Sequence, residues 1–439
     1  MVGGMNPDGS TLTSEALAEV LMRRGALGVT FAADYRNSVS AGVVRGVLDG
    51  RLFVGVGEDC KQPVSAFTDL IDLHLRGWGP DGAEVTVLGE VDFYLARNAK
   101  DGETPDALRT LAAAVRDVNA RVFTVAPDGE PQRLPGVAPH FGDAIGQAYA
   151  GWADLLDAIP ADPPDLVTDL VTKAGIPALR AYPMLSSRGK VWSIRLEGLE
   201  VGVVTATRGS LDVGKDGAEN HRSGKRAAWV AVAGSAQVVV TSSNLTEAAE
   251  LLIRFDREWR KTADLAAPVQ DEHALESRIL RGTVKLTSES GRPLTVLNPR
   301  GDRTPTPDPV VNWGSQFPTR WGPRTGAGRY LDGLLRDGTT PWAIEMKVRG
   351  SQGVGQYYRH AVHQAVLYRE FIRTATPLAP WFDRQGLIQA ECRAAVVTPQ
   401  GHGRVAAHLD KARRVAAAFG VDFLTVEENA GYLHPEDPV

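Results

Sequence analysis

The sequence predicts a multidomain chain of mixed α/β and α+β class. Strand-like and helix-like segments interleave along its whole length. A Pro-rich patch at 159–164 and a second linker at 263–269 interrupt them. With 439 residues and 43% hydrophobic content, there is apolar material for more than one core. These breaks give an α+β unit over 1–160, a strand-rich α+β unit over 161–263, and a third unit over 268–439.

In the first unit, Leu17, Val20 and Leu21 follow Ser14 at helical spacing, which predicts a helix over 14–24 capped by Ser14. Asp49-Gly50 between apolar runs 43–48 and 52–56 is a two-residue hairpin signal. Helices are expected over 64–75, 105–118 and 144–159, and strands over 84–88, 91–95 and 121–125. In the second unit the pattern gives a helix over 165–173 and strands over 192–196, 201–206, 228–232 and 237–241. A polar loop, 215–225, runs between strands. The unit closes with a helix over 245–260, capped by Asn244, whose Ala248, Leu251, Leu252, Phe255 and Trp259 form one apolar face. No internal repeat is visible.

The third unit reads as a helix over 272–279, short strands over 284–286 and 294–297, and an irregular Pro- and Gly-rich stretch over 298–328. A strand over 329–335, a turn at Gly338 and a strand over 342–348 follow. A Gly-rich loop, 349–355, leads into a helix over 356–375. A strand over 394–398, a helix over 404–419 and a strand over 423–426 complete it.

Composition excludes several classes. No run of about 18 apolar residues exists to cross a membrane as a helix. The N-terminus lacks the basic-then-apolar pattern of a secretory signal. Two distant cysteines, Cys60 and Cys392, form no disulfide framework and cannot supply a four-thiolate cluster, so a reducing cytoplasm is the expected setting. The net charge of −5 argues against non-specific coating of nucleic acid. Between Arg278 and Arg373, however, there are 15 basic and 7 acidic residues, a local footprint for a polyanion.

Chemistry concentrates in one block of that window. Asp332 sits within an apolar strand between Leu331 and Leu334, where desolvation disfavours it unless something such as a cation offsets the cost. In Glu345-Met346-Lys347 the two charged residues are separated by one position, so on a strand they share a face while Ile344, Met346 and Val348 point the other way. A hairpin around Gly338 would bring Asp332 beside Glu345. Paired carboxylates suit Mg²⁺ or Mn²⁺. Such an ion polarises a phosphate and lowers the pKa of an attacking water. Lys347 could orient that water or neutralise developing charge. It is one of only 10 lysines against 38 arginines.

An acid, a short gap, and Glu-x-Lys on the next strand resembles the PD-(D/E)XK nuclease superfamily. Gln364-x-x-x-Tyr368 on the following helix is similar to the additional motif of its RecB-like branch. The resemblance covers about residues 270–430. It implies a C-terminal restriction-endonuclease-like αβββαβ core with Asp332 and Glu345 as metal ligands and Lys347 as the catalytic lysine. Gln364 and Tyr368 would position the active site and the nucleic-acid backbone. It also implies a further acid from the preceding helix, with Glu276 the first candidate and Glu272 the second. The four cysteines of the cluster-bearing RecB-like members are absent, as is any ATPase motif.

The Gly-rich loop before a helix N-terminus suits anions, and Arg349, Arg359 and His360 are candidate nucleic-acid contacts. His360 and His363 lack a third partner for zinc. Trp313, Phe317 and Trp321, mixed with Arg320 and Arg324, either stack on bases or pin the loop. The expected activity is metal-dependent hydrolysis of DNA (or RNA), in defence against foreign DNA or in repair. A homo-oligomer is expected, and an activator or partner protein is a further expectation. Two alternatives stand beside it: a non-catalytic nucleic-acid-binding scaffold with an inactive nuclease fold, and an effector gated by a ligand on the N-terminal half.

Overall fold

The computed structural model describes residues 11–32, 42–60, 62–96, 103–126, 130–136, 163–184, 187, 189–213, 236–262, 272–297, 317–321, 329–348, 354–401 and 403–427. The expected helix over 144–159, strand over 228–232 and loop 215–225 lie outside these residues, as do Trp313 and Arg349.

The first sheet has the strand order β1 (Leu27–Ala32), β2 (Val43–Leu48), β3 (Arg51–Val56), β4 (Glu90–Ala96), β5 (Asn119–Val125), β6 (Gln132–Arg133). β1, β2 and β3 pair antiparallel. β3, β4 and β5 pair parallel. Parallel neighbours need crossovers, which are the helices α2 (Pro63–Leu75) and α3 (Glu103–Ala114). Asp49 (φ 51°) and Gly50 (φ 71°) turn the β2–β3 hairpin through left-handed backbone, as the Asp-Gly pair predicted. Residues 84–88 are not a strand, because the chain enters the sheet only at Glu90. The helix α1 (Ser14–Arg23) is capped by Thr13, whose hydroxyl accepts from Ala16 N–H, and not by Ser14. Ser14 is buried, and its Oγ accepts from Gly57 N–H.

The second sheet is antiparallel throughout, ordered β11 (Ala236–Val240), β10 (Gly209–Val213), β9 (Leu199–Val204), β8 (Trp192–Leu196), β7 (Leu179–Pro183). Helices α4 (Asp165–Ala174) and α5 (Leu245–Thr262) pack on one face, with Ala248, Leu251, Leu252 and Phe255 in their core. Asn244 pins the turn before α5. Its Oδ1 accepts from Thr241 N–H, and its amide donates to Val239 O.

The third sheet runs β12 (Leu286–Thr287), β13 (Pro293–Val296), β16 (Gly333–Asp337), β17 (Thr340–Met346), β18 (Arg393–Pro399), β19 (Asp422–Val426). β13, β16 and β17 pair antiparallel; β17, β18 and β19 pair parallel. α6 (Glu272–Leu280) precedes this sheet. α7 (Val354–Thr374) and the short α8 (Ala379–Arg384) connect β17 to β18, and α9 (Arg404–Ala418) connects β18 to β19. Within the stretch expected to be irregular, β14 (Phe317–Trp321) pairs with β15 (Arg329–Leu331). The strand expected over 329–335 is interrupted at Asp332, where the backbone bends between β15 and β16.

The first and third sheets share a core. Val54, Val91 and Phe93 of one, and Ala343, Ala394 and Val396 of the other, belong to the same hydrophobic cluster as Phe67, Leu111, Val366 and Val415 from α2, α3, α7 and α9. The opposite faces carry α1 on the first sheet and α6 on the third. The layers therefore run helix, sheet, helices, sheet, helix. Apart from the two-residue β6 and β12 and the β14–β15 pair, both halves follow one order: a helix, three antiparallel strands, then two parallel crossovers. The fold thus contains a topological repeat that the sequence conceals.

The second sheet meets this assembly through α6. Glu197, in the β8–β9 turn, accepts from Arg278 Nε at 3.0 Å and from Arg281 Nη2 at 2.7 Å, and all three side chains are buried. Removing one member of such a buried ion group is costly, because the others stay desolvated.

Phe67 packs its ring 5.6 Å from Phe93 and 6.4 Å from Phe419, so it belongs to both halves of the shared core. Phe67→Ala is expected to cost about 3–5 kcal/mol. Scanning calorimetry should then show the first and third sheets melting together at a lower temperature. Separate melting of the two would contradict a common core.

Candidate metal centre

The site forms where β17 ends. Along β17 the side chains alternate as its sequence predicted: Trp342, Ile344 and Met346 enter the core under α6, whereas Ala343 enters the core under α7. Glu345 and Lys347 share the Ala343 face and are 1% and 7% exposed. Lys347 N–H donates to Val397 O at 3.0 Å, which carries the parallel ladder one residue past the end of β17.

The hairpin brings Asp332 beside Glu345. Gly333 pairs with Ile344, and the next position toward the bend sets Asp332 against the end of β17. Its Oδ2 accepts from Met346 N–H at 2.7 Å. The bend at Asp332 is what turns this carboxylate toward the neighbouring backbone. The Arg336 guanidinium donates to Gly338 O and to Gln385 O.

The third carboxylate is Glu272, at the first residue of α6. Oxygens of Glu272, Asp332 and Glu345 converge within 4.8 Å of one another. Glu276, the first choice from the sequence, is not part of that group. It lies one turn further along α6 and is buried, and its charge acts on both Asp332 and Tyr182. The two glutamates are four residues apart on the same helix face, and the one nearer the helix start is the one that reaches the strand end.

Lys347 ties the group together. Its Nζ lies 2.7 Å from Glu345 Oε1 and 2.7 Å from Glu272 Oε1, and donates to Met346 O at 2.9 Å. Burial disfavours the ammonium, but Glu345, Asp332 and Glu272 outweigh it and hold its pKa well above the ordinary lysine value. Asp332 is displaced upward as well, by burial first and by the neighbouring Glu345 second, with Lys347 opposing. Fully ionised, three carboxylates and one ammonium leave an excess of two negative charges. All-oxygen donors with that excess fit a hard divalent cation such as Mg²⁺ or Mn²⁺.

The other expected residues are placed less directly. Gln364 is half-buried and Tyr368 buried on α7, the helix that covers the Glu345 face of β17. Arg359 and His360 lie on the same helix, five and four residues before Gln364, and His363 is buried. Among the described residues the first sheet supplies no second centre. Aligning the two hairpins by their turns sets Val43 and Val56, both fully buried and apolar, where Asp332 and Glu345 stand.

No family model matches the chain, and no curated protein or solved structure matches it.

The upward displacement of Asp332 has a stability consequence. A carboxyl whose pKa is higher folded than unfolded contributes stability that is fully present below its unfolded value, about 3.9, and lost as pH rises through the folded value. Asp332→Asn keeps an acceptor for Met346 N–H and removes the charge. In EDTA its melting temperature should exceed the wild-type value by a margin that is wider at pH 7.5 than at pH 4.5. An equal margin at both would contradict the electrostatic account.

Proposed function

We propose that this chain is a divalent-metal-dependent nuclease that hydrolyses phosphodiester bonds of DNA, with Asp332, Glu345, Lys347 and Glu272 as its centre. The convergence of three carboxylates, two of them paired with one buried lysine ammonium, carries this reading. The order of the third unit supports it: a helix, antiparallel strands bearing Asp332 and Glu345, then parallel crossovers, in keeping with the resemblance to PD-(D/E)XK nucleases.

Asp332, Glu345 and Glu272 would hold the metal. When bound, Mg²⁺ or Mn²⁺ supplies Lewis-acid activation of the scissile phosphate and of water. Lys347 stays protonated among its carboxylates, so its part is to orient the attacking water and to stabilise charge gathering on the phosphate. Gln364 and Tyr368 on α7 would position the substrate, and Arg359 and His360 of the same helix are candidate contacts to its backbone. Defence against foreign DNA, or repair, is the setting that this activity suits.

Cleavage of linear and circular plasmid with Mg²⁺ and with Mn²⁺ tests the activity. Lys347→Ala and Glu345→Gln should each lose on the order of a hundredfold or more in rate. Cutting that survives both changes, or needs no metal, would remove the assignment. Since Val43 and Val56 replace the acids in the first sheet, calorimetric titration with Mn²⁺ should give one strong site per chain. Two equal sites would show that the apolar reading of the first sheet is wrong.

A further inference from the structure

Thr398 lies beside Lys347. Met346 pairs with Val397 across the parallel β17–β18 ladder, and the Lys347 N–H to Val397 O bond continues it. Paired residues on parallel strands share a face. Ala343 and Ala394 enter one core, and Met346 and Val397 enter the other. The next pair, Lys347 and Thr398, therefore lies on the face of Glu345.

The Thr398 side chain is completely buried, and its Oγ1 has no hydrogen-bond partner among the described residues. A hydroxyl left in this condition costs stability, whereas valine would fill the same space on a central strand without that cost. The Lys347 ammonium has three protons, directed at Glu345, Glu272 and Met346 O. Two of these three acceptors are carboxylates of the candidate metal centre. If Glu345 and Glu272 turn to a cation, the ammonium gives up two of its hydrogen bonds within a buried site.

We propose that Thr398 is a positioning residue of this centre, its hydroxyl accepting from the Lys347 ammonium when Glu272 and Glu345 engage a divalent cation. Thr398 then keeps Lys347 fixed at the site once its carboxylate partners are taken. The hydroxyl is unused in the metal-free arrangement because the carboxylates are the stronger acceptors for an ammonium. This inference rests on the metal-centre reading above.

The test uses the full chain and Mn²⁺, comparing wild type with Thr398→Val and Thr398→Ser by calorimetry and by melting temperature. In EDTA, Thr398→Val should melt at or above the wild-type temperature. Its Mn²⁺ affinity should fall by about tenfold, the loss of one hydrogen bond to a charged group. Thr398→Ser, which loses the methyl but keeps the hydroxyl, should melt lower yet retain the Mn²⁺ affinity. Cleavage should follow, with kcat reduced in Thr398→Val at unchanged KM for DNA and restored in Thr398→Ser. Wild-type Mn²⁺ affinity and kcat in Thr398→Val would overturn the role of Thr398 alone. Absence of Mn²⁺ binding in the wild type would overturn the metal centre, and this inference with it. Should Thr398→Val fail to fold, Thr398→Ala against Thr398→Ser makes the same comparison, and equal Mn²⁺ affinities there would overturn it.

Discussion

Lys347 and Glu345 are among the most buried charged side chains of the third sheet, and each makes the other tolerable. A lone ammonium or carboxylate in that position would be strongly disfavoured. Their pairing imposes conditions on the surrounding fold. The strand carrying Asp332 has to bend so that its carboxylate meets Met346 N–H. α6 has to begin where Glu272 can reach Lys347. α6 is in turn fixed by Arg278 and Arg281, which close on Glu197 from the second sheet. The second sheet thus bears on the site through the helix that supplies its third acid.

The two halves built around the central helices share a topology but divide its uses. In the first, buried valines at 43 and 56 continue the apolar strands. In the third, the equivalent positions hold Asp332 and Glu345. A sheet covered on both faces selects apolar residues almost throughout its strands. Charge at two such positions therefore lowers stability unless it is compensated locally, and Lys347 supplies that compensation. The first half contributes packing instead, since α2 and α3 cover the faces of α7 and α9 that would otherwise be open to water.

Much of this was legible in the residues. The Asp49-Gly50 turn, the alternation along β17 and the long α7 follow from local rules with few competitors. The pairing of Asp332 with Glu345 followed from one hairpin. Other features depend on packing that local rules do not contain. β7 and β10 are not among the strands read from the sequence: β7 runs into Pro183, a strand breaker, and β10 alternates Ser210 and Asp212, both poor strand formers, with Leu211 and Val213. Helical period places Glu272 and Glu276 on one face and cannot choose between them; the docking of α6 does. The repeat left no trace because backbone pairing and face burial conserve topology while allowing any apolar residue. Thr398 stood in the run Ala394-Ala395-Val396-Val397 as an ordinary β-branched strand residue. Only its neighbour across the ladder gives it meaning.

The charge balance of the site also bears on how it can be filled. Lys347 neutralises part of the carboxylate excess, and the raised pKa of Asp332 lets a proton offset more of it. On the proposed reading the site is complete before a cation binds, with Lys347 as its internal counter-ion. A cation entering such a site exchanges with charges already there, and its net affinity is the difference between two compensated states. An arrangement of this kind separates folding from loading. The hydrophobic layers and the Glu197 ion group hold the frame, and the carboxylates remain available for exchange.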